Sequence, residues 1–316
     1  MCVVTPALAS ANNGNWQTAS RWARWLSGHY RVRLVDRWDG GDDDLLIALH
    51  ARRSAASVQA WREQLVARPL VVVLTGTDLY RDVPVDAAAR RSLELADRLV
   101  VLQALGVQSL PEAMRAKAFV SVQSCSAWQP HEKTRRRLRA LAVGHLRDEK
   151  DPRTYFEAAR RLAARDDIVL DHIGASLSEP LAHEARETMA AAPNYRWLGG
   201  LPHGTSRARI RRAHVLVHMS RMEGGAHVVM EALRSGTPVL ASRIDGNLGM
   251  LGDDWPALFE AGDAAGLAAA LERLRDDPAM LADLTARALA RAPLFDPARE
   301  RERVLGLVAQ LLETRP

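Results

Sequence analysis

The sequence has little cysteine and no long hydrophobic run. Its only cysteines are Cys2 and Cys125 among 316 residues. Two thiols exclude a disulfide framework and a four-thiolate metal site, and they favour a reducing compartment. No apolar run in the sequence approaches the roughly 20 residues that a membrane helix needs. Residues 1–8 lack a basic segment and predict a buried strand rather than a secretory signal. We therefore expect a cytoplasmic protein.

Aromatic residues are also scarce, with four Tyr and four Phe. A net charge of +5 could suit a nucleic acid, but no basic helix alternates with stacking aromatics. The densest basic runs, 133–139 and 207–212, are more typical of solvated faces or contacts between domains. A net charge smaller than +5 is enough for a cleft that binds phosphorylated small molecules. We expect small-molecule partners, and neither a nucleic acid nor a membrane.

Short apolar, β-branched runs alternate with longer amphipathic stretches along the whole chain. The composition, 47% hydrophobic and 26% charged, is globular and allows two domains. The alternation is typical of parallel βα units. The candidate strands are 2–5, 32–35, 45–49, 70–74, 99–102, 118–122, 138–143, 168–173, 195–198, 215–218, 238–241 and 257–259.

A polar stretch at 124–137 interrupts this pattern and predicts a linker. We predict an α/β protein with two doubly wound, Rossmann-like domains that face each other across a cleft. The predicted domains are 1–130, on the acceptor side, and 131–296, which binds the nucleotide sugar. The helix predicted at 297–316 could pack back on the N-terminal domain.

Ligands of open parallel sheets bind at the carboxyl ends of the strands, so four loops there are candidates for function. In the first loop, 5–16, Gly14 and Asn15 could present backbone N–H groups to a phosphate at a helix N-terminus. An ordinary turn between strand and helix explains this loop about as well.

The second group of candidates follows the strands at 45–49 and 70–74. Taken singly, a buried histidine could support its loop and an aspartate could cap the next segment. Taken together with two arginines, these side chains could hold an anionic acceptor. The group consists of His50, Arg52, Arg53, Thr75, Thr77 and Asp78.

The third loop combines a glycine turn with cations directly after the strand at 138–143. It contains Gly144, His145, Arg147 and Lys150, and Pro152 then marks the start of a helix. Two cations beside a helix N-terminus suit a diphosphate leaving group, although surface salt bridges are the alternative.

The fourth loop carries the strongest signal, two carboxylates around a glycine pair. Glu223 and Glu231 are separated by seven residues, and Gly224 and Gly225 leave the backbone open to a sugar or a phosphate. At ~1.5 Å per helical residue, Glu231 is expected roughly two turns below Glu223, so that the two could engage different hydroxyls of one ligand. Two merely solvated glutamates are the alternative.

The carboxylate pair and the VGxLxxEK segment at 143–150 resemble the GT-B glycosyltransferases of family 4. The resemblance implies a GT-B fold and catalytic roles for Glu223, Lys150 and Arg147, with Glu223 near the donor sugar and the two cations on the diphosphate. It implies that Glu231 holds the ribose hydroxyls. The donor-binding residues are then Gly14, Asn15, Gly144, His145, Gly174, Gly224, Gly225, Ala226 and Glu231.

Several longer segments resemble the selenosugar synthases of selenoneine biosynthesis. They include LHARRSAAS at 49–57, LTGTDLYRD at 74–82 and SRMEGGAHVV at 220–229. This resemblance implies UDP-N-acetylglucosamine (UDP-GlcNAc) as the donor, selenophosphate as the acceptor, and a 1-seleno-sugar, UDP and phosphate as products. No metal site is evident in the sequence, so we expect no metal or other cofactor. The acidic run 42–44 precedes a strand and predicts a solvated turn rather than a metal site.

Two alternatives remain open from the residues. A related glycosyltransferase could use another small acceptor, with a hydroxyl or a thiol. A protein could also bind a nucleotide sugar without turnover, although the two glutamates and Lys150 argue against this.

Overall fold

The computed structural model describes residues 1–6, 8 and 14–313. Residues 7 and 9–13 of the first predicted loop, and 314–316 of the predicted terminal helix, lie outside the described residues. The chain divides into two compact units. Unit 1 comprises Met1–Ser124, Glu223–Ala226 and Pro297–Pro316, and unit 2 comprises Cys125–Met222 and His227–Asp296.

The sheet of unit 1 has six parallel strands in the order β2-β1-β3-β4-β5-β6. Its central strands are buried on both faces, which explains why they read as continuous apolar runs. The strands are β1 Cys2–Val4, β2 Arg33–Val35, β3 Leu46–Leu49, β4 Leu70–Leu74, β5 Arg98–Val101 and β6 Ala118–Val120.

Helices cover both faces of this sheet. On one face, Trp61 packs in a core with the even-numbered residues of β4. On the other face, Trp22 and Leu26 share a core with Val304 and Val308 from the last helix. The helices of unit 1 are α1 Gly14–Leu26, α2 Ala55–Gln64, α3 Val83–Val85, α4 Ala87–Leu95 and α12 Pro297–Glu313.

The sheet of unit 2 also has six parallel strands, in the order β12-β11-β10-β7-β8-β9. The strands are β7 Leu138–Val143, β8 Ile168–Ile173, β9 Tyr195–Trp197, β10 Val215–His218, β11 Val239–Ser242 and β12 Leu258–Phe259. The helices are α5 Pro152–Arg161, α6 Glu179–Ala191, α7 His203–Arg212, α8 His227–Leu233, α9 Asp245–Leu251, α10 Ala264–Asp276 and α11 Pro278–Arg291.

Local signals explain where several helices begin. The side chain of Asp86 accepts a hydrogen bond from the Ala89 N–H at the start of α4. Asp277 caps α11 in the same way, and Pro278 occupies the first turn, where its missing N–H costs nothing. These residues therefore determine where α4 and α11 begin.

The predicted α/β class is confirmed, and each of the twelve predicted strands is present. The prediction of a solvated turn at 42–44 is wrong for Asp43. Its side chain is buried and accepts hydrogen bonds from Arg33 and Trp38. Within the described residues, no helix is long and apolar enough to cross a membrane.

Candidate functional site

In unit 1, Asp78 joins the loops that follow β3 and β4. Its carboxylate is fully buried, and Oδ1 accepts hydrogen bonds from the N–H groups of Thr75 at 2.8 Å and Gly76 at 2.9 Å. Oδ2 accepts a third bond from the Ala51 N–H at 2.9 Å. Asp78, predicted to bind the acceptor, therefore shapes two candidate loops through their backbones.

His50 lies in the first of these loops and is nearly fully buried. Its φ of 72° is left-handed, a conformation that costs free energy in a non-glycine residue. Nδ1 accepts a hydrogen bond from the Arg53 N–H at 3.3 Å, so the ring proton belongs on Nε2, which lies 3.2 Å from Thr77 Oγ1. Burial lowers the pKa of His50, and the charge of Asp78 opposes that shift. The imidazole is thus a neutral donor to Thr77.

The two predicted acceptor-side arginines differ in their partners. The Nε of Arg52 lies 2.9 Å from a carboxylate oxygen of Asp86, and its side chain is 54% exposed. Arg53 is exposed, and no ion pair of its side chain is found in the part of the chain that the structure describes. Arg53 is therefore the cation of this loop that is available to an anion.

The segment Glu223–Ala226 belongs to unit 1 and packs against the loop after β4. A Cβ at Gly76 would lie 2.5 Å from the Gly224 nitrogen and 3.2 Å from the Glu223 carbonyl carbon. Gly225 lies against Leu102. The structure thus brings the backbone of Glu223 and Gly224 against Thr75 and Gly76; Gly225 and Ala226 belong to the same segment, and Thr77 and Asp78 to the same loop.

The predicted helical spacing of the two glutamates is wrong. Helix α8 begins at His227, so Glu223 lies before it and the rise per helical residue does not apply. Glu223 belongs to unit 1 and Glu231 to unit 2. Gly14 is exposed and begins α1, followed by Asn15, while part of the loop before them lies outside the described residues.

In unit 2, the loops after β7 and β8 meet at two glycines. A Cβ at Gly174 would overlap the Gly144 carbonyl oxygen, so no side chain fits there. His145 Nδ1 accepts a hydrogen bond from the Ala175 N–H at 3.1 Å. Burial, with the charges of Arg147 and Lys150, lowers the pKa of His145. The predicted residues of these two loops therefore form one group.

The cations of this group lie at the entrance to α5. The Lys150 side chain passes Gly144, where an added Cβ would be 3.5 Å from Lys150 Cδ. Arg147 keeps its Nε buried and without a hydrogen-bond partner in the described part of the chain. Asp151, with a left-handed φ of 48°, turns the chain into the helix and lies 3.2 Å from Arg221 Nε. The strand end thus carries two cations, and one of them is a guanidinium with an unbonded Nε.

Glu231 on α8 is buried, and its Oε1 lies 2.5 Å from Nε2 of His203. The hydrogen bond to Glu231 raises the pKa of His203. His203 is the first residue of α7 and was not predicted as a site residue. His203 and Glu231 are 28 residues apart, so no sequence pattern predicts that they pair. The only signal for His203 in the sequence is its position after the end of strand β9.

A metal ion at this site would need several ligand side chains close together. Over residues 1–6, 8 and 14–313, no group of three or more His, Cys, Asp or Glu side chains could hold a metal ion.

A comparison with protein families matches residues 128–291 to the model described as Glycosyl transferases group 1. This range exceeds half of the 316-residue chain and contains β7 to β12. A search of the curated proteins finds no match.

Solved structures share the fold over nearly the whole chain. Sucrose-phosphate synthase from Thermosynechococcus elongatus is 16% identical with a TM-score of 0.80, covering 99% of this chain and 98% of that one. Anabaena HepE in complex with UDP and glucose is 14% identical with a TM-score of 0.72, covering 90% and 88%. The UDP-forming α,α-trehalose-phosphate synthase from Burkholderia xenovorans, in complex with glucose-6-phosphate, is 15% identical with a TM-score of 0.69, covering 95% and 79%.

Proposed function

The chain belongs to the glycosyl transferases of group 1 and is a glycosyltransferase, and we propose that it transfers N-acetylglucosamine from UDP-GlcNAc to selenophosphate. One observation carries the proposal. The segments at 74–82 and 220–229, which resemble the selenosugar synthases, contain the two glycines Gly76 and Gly224 that pack against each other. A local resemblance in sequence thus coincides with a close contact in the fold.

The donor is assigned to residues of unit 2, and Glu223 keeps the role near the donor sugar that the resemblance implies. In this proposal, Glu231 accepts hydrogen bonds from the ribose hydroxyls, and Lys150 and Arg147 neutralise the diphosphate as its charge develops. The buried Nε of Arg147 supports this role, because an unpaired buried donor is costly unless a ligand satisfies it. The glycines Gly144 and Gly174 let the backbone approach the donor closely. The solved complexes of HepE with UDP support a uridine nucleotide.

The acceptor is assigned to the loops after β3 and β4. Arg53 supplies a positive charge for the selenophosphate dianion, and the Thr75 and Thr77 hydroxyls are polar contacts. The nucleophile is a soft, ionised selenium, which requires positioning more than a general base. His50 fits this chemistry, because its Nε2 proton is directed at Thr77 and leaves no basic nitrogen there for an alcohol acceptor.

The reaction is a displacement at C1 of the sugar. A C1–Se bond forms while the bond from C1 to the diphosphate oxygen breaks, and UDP leaves with the electron pair. Water then cleaves the P–Se bond, which yields phosphate and the 1-seleno-sugar. We propose that this chemistry needs no metal or other cofactor. We propose the cytoplasm as the compartment, because two cysteines are too few for the disulfide framework of a secreted protein.

Product analysis tests the proposal. The purified protein is incubated with UDP-GlcNAc, with and without enzymatically generated selenophosphate, and UDP and sugar products are followed by mass spectrometry. We expect selenophosphate-dependent UDP release and a seleno-sugar of matching mass. Transfer only to a hydroxyl or thiol compound would overturn the proposal that selenophosphate is the acceptor. Binding of UDP-GlcNAc without turnover under every acceptor would overturn the enzyme assignment in favour of a binding protein.

A chelator control accompanies this assay. We expect unchanged turnover in EDTA. Loss of activity that a stoichiometric metal ion restores would contradict the cofactor-free mechanism.

A further inference from the structure

The carboxylate of Glu231 already has a charged partner within unit 2. His203 Nε2 lies 2.5 Å from Oε1, a short contact between groups that can form a charge-assisted hydrogen bond. The Glu231 side chain is 5% exposed, whereas that of His203 is 46% exposed. The imidazole therefore lies on the solvent side of the carboxylate.

Burial makes this contact significant. An ionised carboxylate that is removed from water needs a partner, and among the described residues His203 is the only hydrogen-bond partner of the Glu231 side chain. A ribose diol that reaches Glu231 meets the same requirement with two hydroxyl donors. If the two ribose hydroxyls bind to both carboxylate oxygens of Glu231, the diol and the His203 imidazole need the same oxygen, Oε1.

Building on the proposed role of Glu231, we propose that His203 competes with the donor ribose for the Glu231 carboxylate, so that nucleotide binding displaces the imidazole. His203 is a positioning residue in this account, because it acts on the donor through Glu231. The residue thereby sets donor affinity without taking part in bond formation.

The competition depends on the protonation of His203. An imidazolium holds the carboxylate more tightly than a neutral ring, so displacement becomes easier as pH rises through the raised pKa of His203. Two charged groups act on this ring, Glu231 from α8, which raises its pKa, and Arg207 from α7, which lowers it. Arg207 is anchored by hydrogen bonds to Ser126 and by the Trp128 ring, 4.6 Å away.

Donor affinity measured against pH tests the proposal. Each phosphate of UDP-GlcNAc carries one ester and one anhydride bond and lacks the ionisation near pH 6 of a phosphate monoester, so the charge of the diphosphate stays constant. We expect the Kd of UDP-GlcNAc for the wild-type protein to fall about tenfold between pH 5.5 and 8.5, measured by calorimetry. His203→Gln should bind with a nearly constant Kd and more tightly than wild type at pH 5.5.

A second histidine provides a matched control. His183 lies 3.3 Å from Glu187 on α6, and both side chains are exposed. His183→Gln should retain the wild-type pH dependence. A wild-type Kd that does not change with pH, or a pH dependence that survives in His203→Gln, would overturn the role of His203; the second result would point to His145 instead.

The two proposals fail in different ways. Absence of UDP-GlcNAc binding at every pH, in wild type and in His203→Gln, would refute the proposed donor. Tight binding with the wrong pH dependence would refute only the competition.

Discussion

Gly76 and Gly224 lie so close that neither position has room for a side chain. A Cβ at Gly224 would lie 2.6 Å from the Thr75 carbonyl carbon, and Gly76 has a φ of +127°. Both partners are backbone, which cannot move aside as the end of a flexible side chain can. The contact holds the segment that begins with Glu223 against the loop after β4, and so joins two candidate regions of unit 1.

Adding one methyl group at this contact tests its importance. We expect Gly224→Ala to lower the free energy of unfolding by about 1–3 kcal/mol, because the backbone must shift to accept the Cβ. We also expect glycosyl transfer to fall, since Glu223 is the adjacent residue. Denaturant unfolding and turnover are measured together.

Gly306→Ala is the matched control. Gly306 lies in α12 of the same unit, and an added Cβ would meet nothing within 4 Å. This substitution should stabilise the helix by up to about 1 kcal/mol and leave turnover unchanged. Equal free energies of unfolding and equal turnover in Gly224→Ala and Gly306→Ala would contradict the importance of the contact between Gly76 and Gly224.

Glu300 anchors the last helix to unit 1 through a buried network. Its carboxylate accepts hydrogen bonds from Arg21, from Trp22 Nε1 at 2.6 Å and from Ser124 Oγ at 2.5 Å. We expect Glu300→Gln to lower the free energy of unfolding by about 3–5 kcal/mol, because the Arg21 charge loses its buried partner. Glu302→Gln, at an exposed position of the same helix, should change it by less than about 0.5 kcal/mol. Similar midpoints in urea for both variants would refute this role.

His172 should make the stability of the protein dependent on pH. Complete burial lowers its pKa to about 4 from the ordinary 6.5, so the folded protein keeps the ring neutral while the unfolded chain takes up a proton. Stability is therefore full above pH 6.5 and is lost as pH falls toward 4, by about 3 kcal/mol from this group.

The variant His172→Phe isolates this contribution. The ring lies among Tyr155, Phe156 and Tyr195, and the variant also removes the contact of Nδ1 with Tyr195 Oη at 3.1 Å, a loss that does not itself depend on the protonation of residue 172. Urea unfolding of wild type and variant is compared between pH 4 and 7. We expect the variant to lose less stability over this range, and parallel curves would show that His172 is not responsible.

The proposed leaving-group cation is tested at Lys150. We expect Lys150→Met to lower kcat by about 10²- to 10³-fold, because the charge that develops on UDP loses its counterion. Lys150→Arg should recover part of the rate. A change confined to KM would mean that Lys150 binds the donor without stabilising the transition state.

The strands could be predicted because each is a short apolar run between polar turns, and β4, β7, β8 and β10 have the predicted bounds. The start of the segment between Glu223 and Glu231 could not be predicted. It is not helical because Gly224 packs against a loop almost 150 residues earlier in the chain. Asp78 resembled a ligand-binding residue in the sequence, yet its oxygens accept hydrogen bonds from three backbone N–H groups. His203 was missed because its significance depends on Glu231, a partner on another helix.

Phosphorus NMR of the complete reaction tests the central claim most directly. Purified protein is mixed with UDP-GlcNAc and selenophosphate, and all phosphorus-containing substrates and products are followed in one sample. The account predicts that selenophosphate and UDP-GlcNAc disappear together while UDP and inorganic phosphate appear in equal amounts. UDP formation with selenophosphate left intact would contradict it.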